Sequence, residues 1–204
     1  MVKLKLCGLM RSEDIAAVNL VLPDYIGFVF AESRRRVSAA QATRLAQSLN
    51  PVIKKVGVFV NAAPESILQL VRAGIIDMIQ LHGDEDKAYL EALHKQTEAP
   101  VIKAVRVQSA EQVRQAAALP CEFLLLDTYT KGVYGGSGKC FDWALIPKIN
   151  KPFFLAGGLN VENVERAIST CTPYAVDISS GAETEGVKDK EKIIKIAEII
   201  RSVE

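Results

Sequence analysis

Short, β-branched apolar runs alternate with longer stretches of helical period eight times along this chain. The predicted strands are Lys3–Cys7, Tyr25–Phe30, Ile53–Val60, Asp77–Leu81, Val101–Val105, Glu122–Asp127, Pro152–Leu155 and Tyr174–Ile178. The predicted helices are Ser12–Leu20, Ser38–Ser48, Pro64–Ala73, Asp86–Gln96, Ser109–Ala118, Asp142–Lys148, Asn160–Ser169 and Lys188–Ser202. Strand starts lie 21 to 30 residues apart, which is room for a strand and its crossover helix. Strict alternation demands a parallel sheet, either open and doubly wound or closed on itself. An open sheet of this kind has five or six strands, whereas eight units make a barrel. The expected fold is therefore α/β, a single (β/α)8 TIM barrel spanning residues 1–204, at the small end of that architecture.

Local signals agree with this division. Ser12, Ser38 and Ser109 stand where helix N-caps are needed, and Pro64 suits a first helical turn. No Pro-, Gly- or Ser-rich linker splits the chain. One long loop, 128–141, carries Gly132, Gly135, Gly136 and Gly138, and loops of that length in a compact domain are functional or disordered.

Charge and cysteine usage exclude several functions. With 25 Lys plus Arg against 24 Asp plus Glu, the net charge of +1 argues against nucleic acid or an anionic membrane as partner. No apolar run is long enough to span a bilayer, and the opening residues MVKLKLCG lack a signal-peptide core, so a soluble, cytoplasmic chain is expected. The cysteines Cys7, Cys121, Cys140 and Cys171 are scattered with no CxxC pair, which is neither a disulfide framework nor a zinc site. No HxH, HExxH or clustered carboxylate pattern supports a metal.

In such barrels the chemistry sits at the C-terminal ends of the strands. Asp127 ends the apolar run Phe123–Leu126, where a carboxylate faces solvent, as a cap of the next loop, or the barrel mouth. Partial burial at the mouth would raise its pKa toward that of a useful general acid. Free cysteines are commonly small buried hydrophobes. Cys7 differs by ending the first strand, with Gly8 removing bulk beside the sulfur, while Cys121 and Cys171 fall at the opposite rim and Cys140 lies in the long loop. His82, after the fourth strand, is either an acid/base or a hydrogen-bonding loop residue, and nothing marks Ser179 or Ser180 as an activated nucleophile.

Two glycine-bearing segments suggest an anion. Gly157-Gly158 opens the seventh helix and Ser179-Ser180-Gly181 closes the eighth strand, the loops where this fold binds phosphate. Tight turns would also explain the glycines; their occurrence at both expected loops favours phosphate on Gly157, Gly158, Ser180 and Gly181. The triplet Arg34-Arg35-Arg36 after the second strand is either a solvated patch or a clamp for a substrate carboxylate. Strand parity adds one more expectation. Lys3, Lys5 and Cys7 share a face, so if Cys7 faces the mouth, Lys5 lies a layer below it inside the barrel. Closure brings the eighth strand beside the first, and Asp177 is then the partner that a buried ammonium requires, unless Lys5 is solvated at the lower opening.

Taken in order along the chain, KLCG at Lys5–Gly8, GFVF at Gly27–Phe30, VGVFVN at Val56–Asn61, QLHG at Gln80–Gly83 and LLLDT at Leu124–Thr128 form a distinctive series. GGSGKCFDW at Gly135–Trp143, LAGGL at Leu155–Leu159, VDISSG at Val176–Gly181 and GVKD at Gly186–Asp189 complete it. With these motifs the sequence resembles the phosphoribosylanthranilate isomerase family of tryptophan biosynthesis over nearly its whole length. The resemblance implies a (β/α)8 barrel, an Amadori rearrangement of an aminoaldose phosphate, a small phosphosugar as partner, and no metal or organic cofactor. It implies Cys7 as general base, Asp127 as general acid and an arginine of the 34–36 triplet as the anthranilate carboxylate clamp. The family commonly has Ser-Pro-Arg-x-Val where this chain has Ser33-Arg34-Arg35-Arg36-Val37, and counting back from Val37 gives Arg35. The family also often has proline at the positions of Val161 and Glu185, neither of which is expected to bear on the chemistry. The alternatives are another phosphosugar barrel enzyme, such as a metal-dependent epimerase whose paired His and Asp ligands this chain lacks, and a non-catalytic phosphate-binding barrel. The latter would not explain Cys7 together with Asp127. A monomer or a homodimer is compatible with the sequence.

Overall fold

Eight strands pair in chain order and close: β1 Lys3–Cys7, β2 Tyr25–Val29, β3 Lys54–Phe59, β4 Met78–Leu81, β5 Val101–Val107, β6 Phe123–Thr128, β7 Phe153–Leu155 and β8 Ala175–Ile178. All eight neighbouring pairs are parallel, and β8 pairs with β1 in the register Lys5 opposite Asp177. The computed structural model describes residues 2–129 and 140–203; Gly132, Gly135, Gly136 and Gly138 of the long loop lie outside the described residues.

Seven α-helices among the described residues return the chain between strands: α1 Ser12–Val21, α2 Ala39–Gln47, α3 Pro64–Arg72, α4 Lys87–His94, α5 Ala110–Ala117, α6 Val164–Cys171 and α7 Lys190–Ser202. Ser38 and Ser109 cap α2 and α5 by accepting from Gln41 N and Gln112 N, and Pro64 opens α3. Ser12 does not cap α1. It is the first helical residue, and Asp14 reaches back instead to accept from Met10 N and Arg11 N.

The helix expected over Asp142–Lys148 is only a 3-10 turn at Trp143–Leu145. Pro147 is the reason: it cannot continue a helix, and it holds Ile146 extended at φ −82°, ψ 106°. The helix expected from Asn160 starts later, at Val164. Asn160 and Asn163 turn the intervening residues instead, Asn160 Oδ1 accepting from Glu162 N and Asn163 Oδ1 from Asn160 N. Asn163 Nδ2 also donates to the Gly158 carbonyl at 3.0 Å, so Gly157-Gly158 is a pinned turn rather than a helix start.

Strand parity divides the core in two. Leu4, Leu6, Ile26, Phe28, Ile79, Leu81, Leu124, Leu126, Val176 and Ile178 point outward and pack under the helices. Tyr25, Val56, Met78, Ile102, Ala104, Leu125, Phe154 and Ala175 fill the interior. At the lower end Tyr25 and Phe154 meet edge-on with centroids 5.3 Å apart, and the hydroxyls of Tyr25 and Tyr174 hydrogen-bond at 2.8 Å. With the bottom closed by aromatic rings, inward residues near the strand C-termini have only the upper rim to open toward.

A small hairpin follows β8: β9 Glu183–Thr184 pairs antiparallel with β10 Val187–Lys188. Its two-residue turn, Glu185 and Gly186, has φ of 52° and 82°, the all-positive combination that matches the strand twist in a hairpin. A proline at position 185 could not adopt that φ. The departure from the family pattern at Glu185 therefore shapes this hairpin, which reaches the site described next.

Candidate active site

The upper rim opens into a cavity of about 380 Å3 whose lining includes Cys7, Arg35, Gln80, His82, Asp127, Gly157, Gly158, Asp177, Ser179 and Ser180. Four strands contribute polar side chains by parity. Cys7 from β1, Gln80 from β4, Asp127 from β6 and Asp177 from β8 are inward positions at or near strand ends.

Cys7 is buried, and its sulfur fills the space left by Gly27 on the neighbouring strand, where an added Cβ would stand 2.5 Å from Sγ. Gly27, not Gly8, is the glycine that makes room for the thiol. Burial pushes the Cys7 thiol up, and the Lys5 ammonium below it is the main group holding it down. Lys5 is fully buried and donates to Asp177 Oδ2 at 2.9 Å, as strand parity predicted. Burial alone would push Lys5 down, but Asp177 and the Cys7 thiolate outweigh it and raise it. Ser179 Oγ donates to the Cys7 carbonyl at 3.1 Å, which ties the end of β8 to the end of β1 and makes Ser179 a structural hydroxyl.

Asp127 is also buried. Its Oδ1 accepts from Thr128 N at 2.7 Å, and its Oδ2 lies 3.3 Å from His82 Nε2. Gly157 leaves the space above it: a Cβ there would sit 3.1 Å from Asp127 Oδ1 and 2.3 Å from Thr128 Oγ1. Gln80 Nε2 donates to His82 Nδ1 at 2.9 Å, an arrangement that puts the imidazole proton on Nε2, the nitrogen beside Asp127. His82 Nε2, Gln80 Oε1 and Asp177 Oδ1 are buried with no aligned hydrogen-bond partner among the described residues, and all three residues line the cavity. Three orphaned polar atoms around one cavity are the mark of a site built for a polar ligand.

The three arginines separate clearly. Arg34 and Arg36 are both exposed and paired with Glu183 and Glu32, whereas Arg35 is buried and alone of the three lines the cavity. Arg35 Cδ occupies the space beside Gly8, whose φ is 81° and whose added Cβ would stand 2.4 Å away. Gly8→Ala is expected to destabilise the fold by about 1–3 kcal/mol through left-handed backbone strain and this clash, read as a lower denaturation midpoint. An unchanged midpoint would mean that Arg35 is free to move aside.

Gly157, Gly158 and Ser180 line the cavity together, so the loops after β7 and β8 converge as expected. Gly181 stands behind them, packed so closely on Leu159 that an added Cβ would lie 1.9 Å from its carbonyl oxygen. Two residues that sequence reasoning missed stand behind the wall and hold Arg35 and the Ser179 carbonyl. Glu183 accepts from Arg35, and buried Lys188 donates both to Glu183 Oε1 at 2.7 Å and to the Ser179 carbonyl at 2.8 Å. Burial alone would push Glu183 up, but the hydrogen bonds from Arg35 and Lys188 hold its carboxyl below the usual range. Among the described residues no three His, Cys, Asp or Glu side chains come together as a metal-binding group.

The family model for N-(5'phosphoribosyl)anthranilate (PRA) isomerase matches residues 4–199. The chain belongs to the N-(5'-phosphoribosyl)anthranilate isomerase family. It is an isomerase of that family, and Cys7 and Asp127 fall within the matched span. The N-(5'-phosphoribosyl)anthranilate isomerase of Endomicrobium trichonymphae is 47% identical over 203 residues and covers all of both chains. The crystal structure of phosphoribosyl anthranilate isomerase from Thermus thermophilus superposes with a TM-score of 0.88 at 32% identity, again over both whole chains. A phosphoribosyl anthranilate isomerase crystallised with reduced 1-(o-carboxyphenylamino)-1-deoxyribulose 5-phosphate gives a TM-score of 0.82 at 33% identity, covering 98% of this chain and 99% of its own. No helix among the described residues is long and apolar enough to cross a membrane.

Proposed function

We propose that this chain converts N-(5'-phosphoribosyl)anthranilate to 1-(o-carboxyphenylamino)-1-deoxyribulose 5-phosphate by an Amadori rearrangement, a step of L-tryptophan biosynthesis. Asp127 is the general acid and Cys7 the general base. The observation that carries this reading is that one small cavity is lined by a buried thiol from β1 and a buried carboxylate from β6. A protonated Asp127 donates to the ribose ring oxygen, the C1–O bond breaks, and the nitrogen lone pair closes a Schiff base. The Cys7 thiolate then removes the C2 proton, and the resulting enolamine tautomerises to the ketone. An unperturbed thiol is mostly protonated at neutral pH, so the reaction depends on the positive charge of Lys5 beneath it.

The substrate has an anion at each end, and the cavity offers a place for each. The phosphate binds at the loops of Gly157-Gly158 and Ser180-Gly181, and Arg35 holds the anthranilate carboxylate through its forked guanidinium. The co-crystallised carboxyphenylamino phosphosugar of the structural relative supports this substrate class. The partner is thus a small phosphosugar in a cytoplasmic monomer or homodimer. Mixing the purified chain with phosphoribosylanthranilate should abolish the substrate's fluorescence far faster than the spontaneous reaction does. Decay at the uncatalysed rate would overturn the assignment.

A further inference from the structure

A guanidinium at the end of a flexible side chain presents its fork to a ligand only if something fixes its rotation. For Arg35 that anchor is a single carboxylate. Arg35 Nε donates to Glu183 Oε1 at 2.6 Å and Nη2 donates to Oε2 at 2.9 Å. This bidentate pair uses one edge of the guanidinium. Nη1 has no protein partner among the described residues, so the Nη1–Nη2 edge stays available on a residue that lines the cavity.

Glu183 is itself held from several directions. Lys188, its cross-strand partner in the β9–β10 hairpin, donates to Oε1 at 2.7 Å, Arg34 Nη2 donates to Oε2 at 2.8 Å, and Lys192 Nζ donates to the Glu183 backbone carbonyl at 2.7 Å. Lys188 also binds the Ser179 carbonyl at 2.8 Å, which links this cluster to the loop after β8. One carboxylate thus faces the buried Arg35 and Lys188 and the exposed Arg34, leaving one buried formal positive charge uncompensated beside the cavity. A pair kept only for stability has little use for that excess, because an unmatched buried charge is costly. The surplus suits a site that receives an anion.

We infer that Glu183 is the positioning residue of Arg35, locking one edge of the guanidinium so that the other meets the carboxylate of the aromatic end of the ligand. This rests on the role of Arg35 given under Proposed function, and the test separates the two. Two ligands are titrated by calorimetry: reduced 1-(o-carboxyphenylamino)-1-deoxyribulose 5-phosphate, and the same compound made from aniline, which lacks the carboxylate. The wild-type chain is expected to favour the first by at least about tenfold. Arg35→Ala should erase that preference, Glu183→Gln should reduce it by about fivefold or more, and the double variant should be no worse than Arg35→Ala alone. Affinity for inorganic phosphate should stay within about twofold in all of them.

If Glu183→Gln keeps the wild-type preference while Arg35→Ala loses it, the inference about Glu183 is wrong and the reading of Arg35 stands. If Arg35→Ala keeps the preference, the carboxylate clamp lies elsewhere and both fall. An equal loss for both ligands in Glu183→Gln makes the residue a general structural support and also overturns the inference. Should Glu183→Gln not fold, Glu183→Asp decides: it keeps the charge but withdraws the carboxylate by one methylene, so the preference must fall while phosphate affinity holds. An undiminished preference in Glu183→Asp would then count against the inference.

Discussion

Cys7→Ala and Asp127→Asn are each expected to lower kcat at least about a hundredfold while leaving the fold intact. Both changes are sterically mild. The Cys7 sulfur sits over Gly27 at the cavity lining, so alanine only enlarges the cavity by the volume of the sulfur. Asparagine at 127 keeps the oxygen that accepts from Thr128 N and replaces only the one facing His82. Each variant removes a proposed proton-transfer group at little change of volume, so KM should change far less than kcat. In the proposed mechanism the two groups act on the same substrate in sequence, so the double variant should lose less than the product of the single losses. Steady-state fluorescence kinetics beside denaturant unfolding curves provide the check. Near wild-type turnover in either variant would remove that residue from the mechanism.

The fold was legible because short apolar, β-branched runs alternate with stretches of helical period eight times, and nearly all boundaries fall within a few residues of the expected ones. The main failures have local causes. Pro147 reduced the sixth expected helix to a 3-10 turn, and the Asn160–Asn163 turn delayed α6. The β9–β10 hairpin escaped notice because strands of two residues are too short to display any periodicity. The site divides along the same line. Cys7, Asp127, Lys5 and Asp177 were readable, because parity assigns a strand residue to a face and barrel closure fixes which strand is its neighbour. Gln80 was within reach by the same rule, two residues before His82 on β4. Glu183 was not readable: it binds Arg35 across 148 residues of sequence, through a hairpin with no strand signal. The role of Gly8 was misread for a related reason, since its space is taken by Arg35 from another strand end rather than by the adjacent Cys7.

Lys5→Met should act on stability and on chemistry at once. Lys5 is fully buried, and the Asp177 carboxylate it holds at 2.9 Å has its other oxygen unpartnered among the described residues. Removing the ammonium strands a buried carboxylate, and breaking such a pair destabilises by about 3–5 kcal/mol. The folded chain raises Lys5 above its ordinary value of 10.5, so the stability that its ammonium contributes is complete at neutral pH and falls away as pH climbs above the lysine range. The variant should therefore be less stable than wild type at pH 7, and the difference should narrow in strong alkali as the wild-type ammonium deprotonates. The thiol responds in the opposite sense to the charge removed. Burial already pushes Cys7 up, Lys5 is the largest influence holding it down, and so the midpoint of thiol alkylation must move to higher pH in Lys5→Met. Adding Asp177→Asn separates the effects. It relieves most of the stranded charge and restores stability, but it returns the thiol only part of the way, because Asp177 raises Cys7 less than Lys5 lowers it. An alkylation profile that does not move in Lys5→Met would show that the ammonium is a structural ion and does not help ionise the Cys7 thiol.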